Sequence, residues 1–505
     1  MNVRYPSLYQ INTRITLRDL SEVLGRPATL TDIPDHFLDR MAELGFDYVW
    51  FLGIWQTGPA GRAGSLSNPA LMEECRRALP DLTEEDISGS PFAVQSYSVH
   101  QDFGGLPALE ALRSRLAQRG LKLFLDFVPN HTAPDHPWVF DHPEYYIRGN
   151  PEDLAREPQN YKTVETSRGL QVLAYGRDPY FSGWPDTFQL NYRHPDLRAA
   201  MEAELMKIAG LADGVRCDMA MLILPEVFIR TWGERSLPQD ASIPAGGPFW
   251  PGAINRVKEQ YPDFVFMAEV YWDLEWTLMQ QGFDYTYDKR LYDRLEAQAA
   301  SAVRRHLRAD PEYQRRSVRF LENHDEPRAA AVFPSLIHQA AAVAAFFLPG
   351  LRFFHEGQLE GRRVRVSMHL GRRPGEPVDS GLEEFYQWLL ACLERPEVRT
   401  GRWQLLETRP AWEGNPTWEQ FITGSWEGET GSRLVTAVNY GPTRGQCYVD
   451  LPFPDLGGGT ILLRDLMGHN RYERPGDDLT GRGLYLDLPA WGYHVFDFKK
   501  TGRRA

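Results

Sequence analysis

The chain has 505 residues, a formal net charge of −13 and 42% hydrophobic residues. Nucleic-acid partners require basic surfaces, so the acidic balance argues against them. The longest apolar run, residues 340–348, is too short to cross a bilayer, and no apolar leader follows the N-terminus. The four cysteines are scattered without a CxxC pair, which argues against a disulfide framework or a zinc site. We therefore expect a cytoplasmic globular protein with no nucleic-acid or membrane partner.

Short apolar runs that favour β-strands recur through most of the chain. Eight of them stand at 7–12, 47–55, 122–128, 214–218, 264–270, 282–287, 319–325 and 351–357. Helical patterns lie between most of them, at 33–44, 106–119, 195–209, 249–260, 288–307 and 335–346. Strands that alternate with helices predict βαβ units, and eight strands are the number that a closed (β/α)8 barrel needs. A doubly wound open sheet is the alternative, but the sequence lacks the early glycine-rich phosphate loop typical of it.

Two regions interrupt this alternation. Residues 132–186 are rich in Pro, Asp, Asn, Tyr and Trp, and they predict a long excursion after the third strand. From about residue 402 onward the pattern changes to strands and turns, which predicts an antiparallel β-sandwich. We therefore expect an α/β protein of three parts: a catalytic (β/α)8 TIM barrel from 1–131 and 187–401, an inserted excursion at 132–186, and a C-terminal β-sandwich domain at 402–505.

The segment GVRCD places an arginine and an aspartate two residues apart in a predicted strand. Alternate side chains of a strand point to the same side, so Arg216 and Asp218 share a face. A buried pair of opposite charges is costly unless both groups are satisfied. Residues 214–218 alone favour a structural ion pair over a functional site, so the choice depends on the other strand ends.

Acidic side chains also follow other predicted barrel strands. The run KLFLDFVPNH contains Asp126 and ends with His131, FMAEV contains Glu269, and FLENHDE contains His324 and Asp325. The carboxyl ends of barrel strands form one rim, where the active sites of TIM barrels lie. A single terminal Asp commonly caps a helix, and a lone Glu is commonly solvated. Carboxylates at four strand ends instead favour chemistry, because converging negative charges repel one another.

In this order and at these spacings, DFVPNH, GVRCD, MAEV and ENHD resemble the signature regions of the α-amylase family of glycoside hydrolases. The resemblance extends over nearly the whole chain and implies a retaining double displacement at α-glucosidic bonds. It implies that Asp218 is the nucleophile, Glu269 the general acid/base and Asp325 the carboxylate that stabilises the transition state. We expect the guanidinium of Arg216 to lower the pKa of Asp218, and burial to raise the pKa of Glu269. Under this interpretation Arg216 belongs to the catalytic machinery.

The resemblance also implies residues that bind the sugar. Phe92, in SPFAVQSY, stands where the family usually has a tyrosine and would stack on the sugar ring. Arg328 resembles an arginine of the exo-acting glucosidase branches. The predicted binding residues are Phe92, Asp126, His131, Arg216, His324 and Arg328. After the last strand, His355 and Glu356 either face the pocket or belong to a polar loop that closes the barrel.

The chain departs from the family pattern at two places. Met221 and Leu222 replace a Lys-His pair that contacts the leaving sugar, which predicts an apolar leaving-group side and short substrates. Gln189 replaces a calcium-binding Asp. An amide is a weaker ligand for calcium than a carboxylate, so we expect no metal and no other cofactor.

The sequence therefore predicts a retaining α-glucoside hydrolase or transglucosidase whose substrate is a small saccharide or a short α-glucan. Two alternatives remain open: a glycoside phosphorylase on the same barrel, and a catalytically inactive barrel that binds sugar. The presence of Asp218, Glu269 and Asp325 argues against the inactive barrel, because an inactive relative would be expected to lose at least one of them.

Overall fold

The computed structural model describes residues 4–236 and 247–501, so residues 1–3, 237–246 and 502–505 of the predicted domains lie outside the described residues. Eight parallel strands form a closed barrel: β1 (Ser7–Asn12), β2 (Tyr48–Leu52), β3 (Lys122–Phe127), β4 (Gly214–Cys217), β5 (Val265–Ala268), β6 (Tyr285–Tyr287), β7 (Ser317–Arg319) and β8 (Leu351–His355). Each strand pairs with its neighbours in sequence, and β8 closes the barrel against β1. The predicted (β/α)8 architecture is confirmed.

The barrel strands are apolar because both of their faces are covered. All residues of β1, β2 and β8 are buried, as expected for strands between a packed barrel interior and an outer layer of helices. The principal helices are Thr13–Leu24, Asp35–Glu43, Gly105–Ala117, Pro195–Leu211, Pro225–Trp232, Phe249–Gln260, Lys289–Glu296, Ala300–Leu307, Ser335–Phe346 and Ser380–Leu393. Within the described ranges, no helix combines the length and the apolar character that crossing a membrane requires.

Two predicted elements differ from the structure. The pattern 288–307 forms two helices, with Gln298 between them at a φ of 55°, which a right-handed helix does not allow. The run 319–325 overlaps β7 only at Arg319, so its polar residues stand in the loop after the strand. A loop lets these side chains converge, whereas a strand would alternate them between its two faces.

The region of the predicted excursion forms a small sheet beside the barrel. Strands Arg148–Gly149, Tyr161–Thr166 and Gly169–Ala174 make one antiparallel sheet. A second pairing joins His131–Thr132 to Phe188–Gln189. This pairing brings the two ends of the excursion together next to the end of β3.

After the barrel, the chain forms two antiparallel sheets. One contains Arg402–Leu405, Phe421–Glu427, Arg433–Asn439, Tyr493–Thr501, Thr460–Asp465 and Arg471–Pro475 in that order, and the other contains Thr408–Pro410, Gly445–Val449 and Leu484–Leu488. Side chains of both sheets share one hydrophobic core, among them Phe421, Val435, Cys447 and Leu486. Two sheets over one core are the arrangement of a β-sandwich, and its boundary at residue 402 stays a prediction.

A further insertion lies between β2 and β3, where the sequence pattern predicts none. Its helices are Pro59–Leu66 and Pro69–Ala78, and Cys75 of the second helix packs together with Ile87 and with Leu370 of the loop after β8. Ile87 and Leu370 also form an isolated antiparallel bridge. This contact holds the insertion against the rim formed by the carboxyl ends of the strands.

Candidate active site

The three predicted catalytic carboxyl groups line a single cavity of about 330 Å³ at the carboxyl ends of the barrel strands. Asp218 follows β4, Glu269 follows β5, and Asp325 lies in the loop after β7. The other lining residues are Ser90, Phe92, His131, Trp184, Asp186, Thr187, Met219, Tyr271, Met368 and His369. The strand ends therefore bring these carboxyl groups together at one rim of the barrel.

One buried arginine contacts two of these carboxylates. Nη1 of Arg216 lies 2.6 Å from Oδ1 of Asp218, and Nη2 lies 2.5 Å from Oε2 of Glu269. The guanidinium also lies 4.9 Å from the ring centroid of Phe92. Arg216 therefore does more than form an ion pair within its own strand, because its charge is shared by carboxylates that follow two different strands.

Burial raises the pKa of the three carboxyl groups. The pKa of Glu269 rises to about 6, with Arg216 opposing the effect of burial. The pKa of Asp218 is raised as well, because burial outweighs the attraction of Arg216, and burial also raises that of Asp325. Arg216 thus lowers the pKa of Asp218, as predicted, but the net shift is upward because burial has the larger effect. One guanidinium shared by two buried carboxylates does not offset the desolvation of both.

Three donors hold the carboxylate of Glu269. Oε2 accepts hydrogen bonds from Arg216 and, at 2.7 Å, from the backbone N–H of Met219. Oε1 accepts one of 2.9 Å from the hydroxyl of Tyr271. Met219 has a φ of 41° and a ψ of 46°, in the left-handed region that residues other than glycine seldom adopt. This conformation points its N–H at Glu269, and strained backbone of this kind clusters at functional sites.

Two predicted sugar-binding residues line the cavity, and a third stands directly behind it. Phe92 and His131 are in the wall, and burial lowers the pKa of His131 to about 3, so its imidazole is neutral. His324 lies behind the wall, with Nδ1 2.8 Å from Nε2 of Gln10 and Nε2 3.1 Å from Oδ2 of Asp325. In this position the ring of His324 contacts the carboxylate of Asp325.

Asp126 and Arg328 lie outside the cavity wall, although the resemblance implies that both bind the sugar. Asp126 accepts a hydrogen bond of 2.7 Å from the backbone N–H of Gly53, and burial raises its pKa to about 7. Nη1 of Arg328 lies 2.7 Å from Oε1 of Glu322 and 2.6 Å from the carbonyl oxygen of Glu356. Their polar atoms are engaged by buried protein partners, so both residues stabilise the barrel end.

The apolar residues predicted for the leaving-group side also lie elsewhere. Met221 and Leu222 belong to the 3₁₀ turn Ala220–Ile223, and they are 0% and 2% exposed within the barrel core. The turn starts directly after Met219, which is itself in the cavity wall. The assignment of Met221 and Leu222 is wrong, and the apolar surface next to Asp218 comes from Met219.

The positions of His355, the last residue of β8, and Glu356, which follows it, distinguish between the two predicted roles. His355 and Glu356 are buried and lie outside the cavity wall. Oε2 of Glu356 accepts a hydrogen bond of 3.2 Å from Thr16, and its other oxygen lies 3.6 Å from Arg373. Both residues therefore close the end of the barrel.

Several residues of the cavity wall are not among the residues predicted from the sequence. They are Ser90, Trp184, Asp186, Thr187, Met219, Tyr271, Met368 and His369. The sequence could have indicated Tyr271, because it follows Glu269 by two residues at a predicted strand end and alternate residues of a strand share a face. The others depend mostly on loops and insertions, whose contacts the periodic pattern of strands and helices does not specify.

A hydrogen bond with Ser65 holds the ring of His369. The hydroxyl oxygen of Ser65 lies 2.8 Å from Nδ1 of His369 and 3.2 Å from the carbonyl oxygen of Gly61, so Ser65 links the ring to the helix Pro59–Leu66. Burial lowers the pKa of His369 to about 4, so the ring is neutral. With Nδ1 bound to Ser65, Nε2 is the ring nitrogen that remains for a ligand in the cavity.

The surroundings of Gln189 do not fit a calcium ion. Nε2 of Gln189 donates towards both oxygens of Asn130, each at 2.9 Å, and towards the carbonyl oxygen of Leu190 at 3.1 Å. Carbonyl oxygens are ligands that Ca²⁺ prefers, but here a hydrogen-bond donor stands among them. Reversing the amide would place its oxygen against the other three, so the donor orientation is the favourable one.

The catalytic-domain model of α-amylases matches residues 37–363 of the chain. An α-1,4-glucan:maltose-1-phosphate maltosyltransferase of Burkholderia pseudomallei is 28% identical over 291 residues, which are 56% of this chain and 21% of that protein. The enzyme of the same name from Rhodospirillum rubrum is 23% identical over 476 residues, 90% of this chain and 60% of that protein. The chain therefore spans less than two thirds of either relative.

Solved structures share the architecture over almost the whole chain. A maltogenic α-amylase from Thermotoga neapolitana superposes with a TM-score of 0.67 at 17% identity and covers 99% of both chains. An α-amylase from Geobacillus thermoleovorans superposes with a TM-score of 0.65 at 16% identity, covering 99% of this chain and 100% of its own. At such identities the likeness shows the fold.

Proposed function

Because the chain belongs to the α-amylase family, we propose that it is a retaining enzyme that hydrolyses or transfers α-linked glucosyl groups. The observation that supports this most is the contact of one arginine with both Asp218 and Glu269, in a cavity that Asp325 also lines. Retaining glycosidases need a nucleophilic carboxylate and a carboxylic acid that flank one glycosidic bond. We assign these roles to Asp218 and Glu269, and transition-state stabilisation to Asp325.

In the first step, an oxygen of Asp218 attacks the anomeric carbon while the bond from that carbon to the leaving oxygen breaks. Glu269 gives its proton to the leaving oxygen, which produces a glycosyl ester on Asp218 and a free alcohol. A pKa of about 6 leaves part of Glu269 protonated near neutral pH. The carboxylate of Asp325 stabilises the positive charge that develops on the sugar.

In the second step, Glu269 takes a proton from water or from a sugar hydroxyl, whose oxygen attacks the glycosyl ester and releases Asp218. Water as the acceptor gives hydrolysis, and a sugar hydroxyl gives transfer. Each step inverts the anomeric carbon, so the two together retain its configuration.

The size of the cavity favours a short substrate. Its volume of about 330 Å³ is near the lower limit of ligand pockets, which is about 300 Å³. Phe92, Trp184 and Met219 offer apolar contacts to the faces of a sugar ring. His131 and His369 are neutral imidazoles that can bond hydroxyl groups. We therefore propose a small saccharide or a short α-glucan as the substrate.

A transferase that takes its sugar from a glycosyl phosphate is the second candidate. Several relatives are named maltose-1-phosphate maltosyltransferases, and the same double displacement can expel a phosphate as the leaving group. A phosphorylase would run the related reaction with phosphate as the acceptor. The catalytically inactive sugar-binding barrel is disfavoured by Asp218, Glu269 and Asp325, which share one cavity.

We also propose that the protein works in the cytoplasm, in carbohydrate metabolism. Its four cysteines, Cys75, Cys217, Cys392 and Cys447, are buried free thiols. Free thiols of this kind are typical of a reducing compartment. Fractionation of the source cells tests this, and recovery of the protein outside the cytoplasm would contradict it.

A substrate panel tests the proposed activity. The full chain is incubated with p-nitrophenyl α-glucoside, maltose, maltotriose, soluble starch or maltose 1-phosphate, with and without inorganic phosphate, and the products are separated by chromatography. We expect higher kcat/KM on the short saccharides than on starch. A phosphate-dependent sugar phosphate would identify a phosphorylase, and maltosyl transfer only from maltose 1-phosphate would favour the second candidate.

Two outcomes would contradict the proposal. An early fall in iodine staining of starch, with little small sugar released, would show cleavage in the middle of long chains and refute the short substrate. No product from any donor, with saturable sugar binding retained, would favour the inactive barrel.

A further inference from the structure

A second cavity lies beside the candidate active site and has no described lining residue in common with it. Its volume is about 570 Å³, and it is bounded by the helix after β1, the insertion after β2 and the loop after β8. We call it the arginine cleft, because Arg14, Arg18, Arg62 and Arg372 line it. Ser88 and Gly371 of the cleft are each two residues away from residues of the catalytic cavity.

Arg14 is a buried cation in the wall of this cleft. Its residue is 8% exposed. Nη1 donates to the carbonyl oxygen of Gly89 at 2.6 Å, and Nη2 donates to the hydroxyl of Thr57 at 2.8 Å. Among the described residues, no carboxylate lies within ion-pairing distance of it. Burial lowers its pKa to about 10, so the guanidinium is still charged at neutral pH, and a buried charge without a counterion is costly.

A second buried arginine provides a structural comparison. Arg352 is 0% exposed, and it too has no carboxylate partner among the described residues. Its guanidinium, however, donates to three carbonyl oxygens, those of Phe346, Tyr5 and Val398. Arg352 therefore has a complete structural role as a clamp on backbone groups. Arg14 contacts one backbone carbonyl oxygen and one hydroxyl, which use two of its five N–H groups, and it borders an open cavity. It therefore retains donors for a ligand.

Two more side chains supply donors at the same place. Nε of Arg62 donates to the carbonyl oxygen of Ile87 at 2.7 Å and Nη2 to that of Glu84 at 2.6 Å, so its described contacts are with backbone oxygens. Nδ1 of His100 accepts a hydrogen bond of 3.2 Å from the backbone N–H of Asp102. The proton of the neutral His100 ring is then on Nε2, which makes that atom a donor.

The carboxylates of the cleft do not neutralise the charges of Arg14 and Arg62. Asp86 is occupied by Arg372, with oxygen to nitrogen distances of 2.8 Å and 2.9 Å. Glu85 and Asp102 are exposed at the edge of the cleft, and the side chain of Asp102 is 85% exposed. Water screens the charge of exposed carboxylates, so they do little to offset the cost of burying a cation. The inner part of the cleft therefore keeps an excess of positive charge.

We propose that the arginine cleft binds a phosphate-bearing small molecule, with the phosphate group against Arg14 and Arg62. Guanidinium groups match phosphate oxygens and form charge-assisted hydrogen bonds with them, and His100 adds a neutral donor. The volume of about 570 Å³ lies well inside the range of ligand pockets, about 300–1,000 Å³. The cleft therefore has room for an organic group beside the phosphate, and this site does not depend on the proposed catalytic activity.

Isothermal titration of the full chain tests the proposal, with inorganic phosphate and glucose 6-phosphate as probes at one fixed ionic strength. We expect saturable binding that weakens by a factor of about 10 to 100 in Arg14→Gln and Arg62→Gln, as expected for hydrogen bonds to a charged group. Arg256→Gln is the matched control, because Arg256 is exposed and pairs with Glu202 at 3.0 Å. If Arg14→Gln does not fold, the half-buried Arg62→Gln decides.

The two probes also distinguish the source of the phosphate. Tighter binding of glucose 6-phosphate would indicate a phosphate ester, and equal binding would indicate free phosphate; both support the cleft. No saturable binding of either probe would overturn the proposal. So would an affinity that falls in His369→Ala and is unchanged in Arg62→Gln, because it would place the ligand in the catalytic cavity.

Discussion

The guanidinium of Arg216 on β4 reaches the neighbouring strand end, where its Nη2 lies 2.5 Å from Oε2 of Glu269. The register of the two strands explains this contact. Arg216 pairs with Met267 and Cys217 with Ala268, so the residues that follow the two strands lie side by side. The two candidate catalytic carboxylates share one cation, and a change at either one alters the titration of the other.

Replacing the proposed nucleophile in Asp218→Asn should remove turnover and leave the fold intact. The amide fills the same space but does not form a glycosyl ester. We expect kcat/KM to fall below about a hundredth of the wild-type value, since losing a covalent catalyst costs more than that. The variant also removes one of three buried negative charges, so we expect its Tm, measured by calorimetry, to be unchanged or higher.

The matched control for this change is Asp39→Asn. Asp39 is on an exposed helix surface, where it pairs with Arg119 at 2.6 Å, and its loss should leave the rate unchanged. Turnover by Asp218→Asn above about a hundredth of the wild-type rate would show that another group is the nucleophile. A large loss of Tm would show a structural role instead.

The pH dependence of the rate should report the protonation of Glu269. The acid form donates the proton, so with a pKa of about 6 the alkaline limb of kcat/KM should fall near pH 6. Tyr271 donates a hydrogen bond to the ionised carboxylate, so Tyr271→Phe disfavours the ionised form and raises this pKa. We expect the limb to move to higher pH by about one unit. Tyr180→Phe, at an exposed position, is the control and should leave the limb unchanged. An alkaline limb that does not move in Tyr271→Phe would exclude Glu269 as the titrating group.

Chelation should leave the stability of the protein unchanged. Nε2 of Gln189 donates to the oxygens that would otherwise bind a cation, so Tm with EDTA should equal Tm without it. Gln189→Glu places a carboxylate against these oxygens and should lower the free energy of unfolding by about 3 kcal/mol. Added calcium should restore part of this loss.

The surface variant Gln118→Glu is the control for the charge change, with an expected effect below about 1 kcal/mol. A calcium-reversible fall in Tm of the wild-type chain on chelation would mean that it holds a metal ion, against our expectation.

Removing the partner of His369 should weaken substrate binding more than it slows the chemistry. In Ser65→Ala, Nδ1 loses its hydrogen-bond partner, so the ring is no longer held in one orientation and one tautomer. We expect KM to rise about threefold to tenfold with a smaller change in kcat, and nitrogen NMR of the ring to show a mixture of tautomers. Ser67→Ala, on the exposed side of the same segment, should do neither. Unchanged kinetics in His369→Ala would show that this residue does not touch the substrate.

We expect Arg328 to stabilise the folded protein and not to bind the sugar. Arg328→Met leaves Glu322 buried without its partner, which should cost about 3–5 kcal/mol in thermal or chemical unfolding. The double variant with Glu322→Gln should recover part of this loss, and KM of the folded enzyme should stay near the wild-type value. A strong rise in KM at an unchanged Tm would restore the binding role.

Much of the fold can be predicted from the sequence because the relevant signals are local. Buried strands appear as short apolar runs, and each of the eight runs overlaps a barrel strand, the run 319–325 by one residue only. Helices Phe249–Gln260 and Ser335–Phe346 begin and end at the predicted residues. The ordered segments at four strand ends placed Asp218, Glu269 and Asp325 on one rim, since the parallel topology forces these ends together.

Only the tertiary structure determines the properties that depend on distant parts of the chain. Arg216 and Glu269 are 53 positions apart, and the pKa of Asp218 depends on how these two share charge in a buried space. Local sequence does not reveal that Met219, and not Met221, faces the cavity, because a left-handed residue redirects the chain there. The arginine cleft is assembled from three separate segments, namely the helix after β1, the insertion after β2 and the loop after β8. Burial and charge sharing are set by segments that meet only in the folded chain, and the local pattern contains no measure of either.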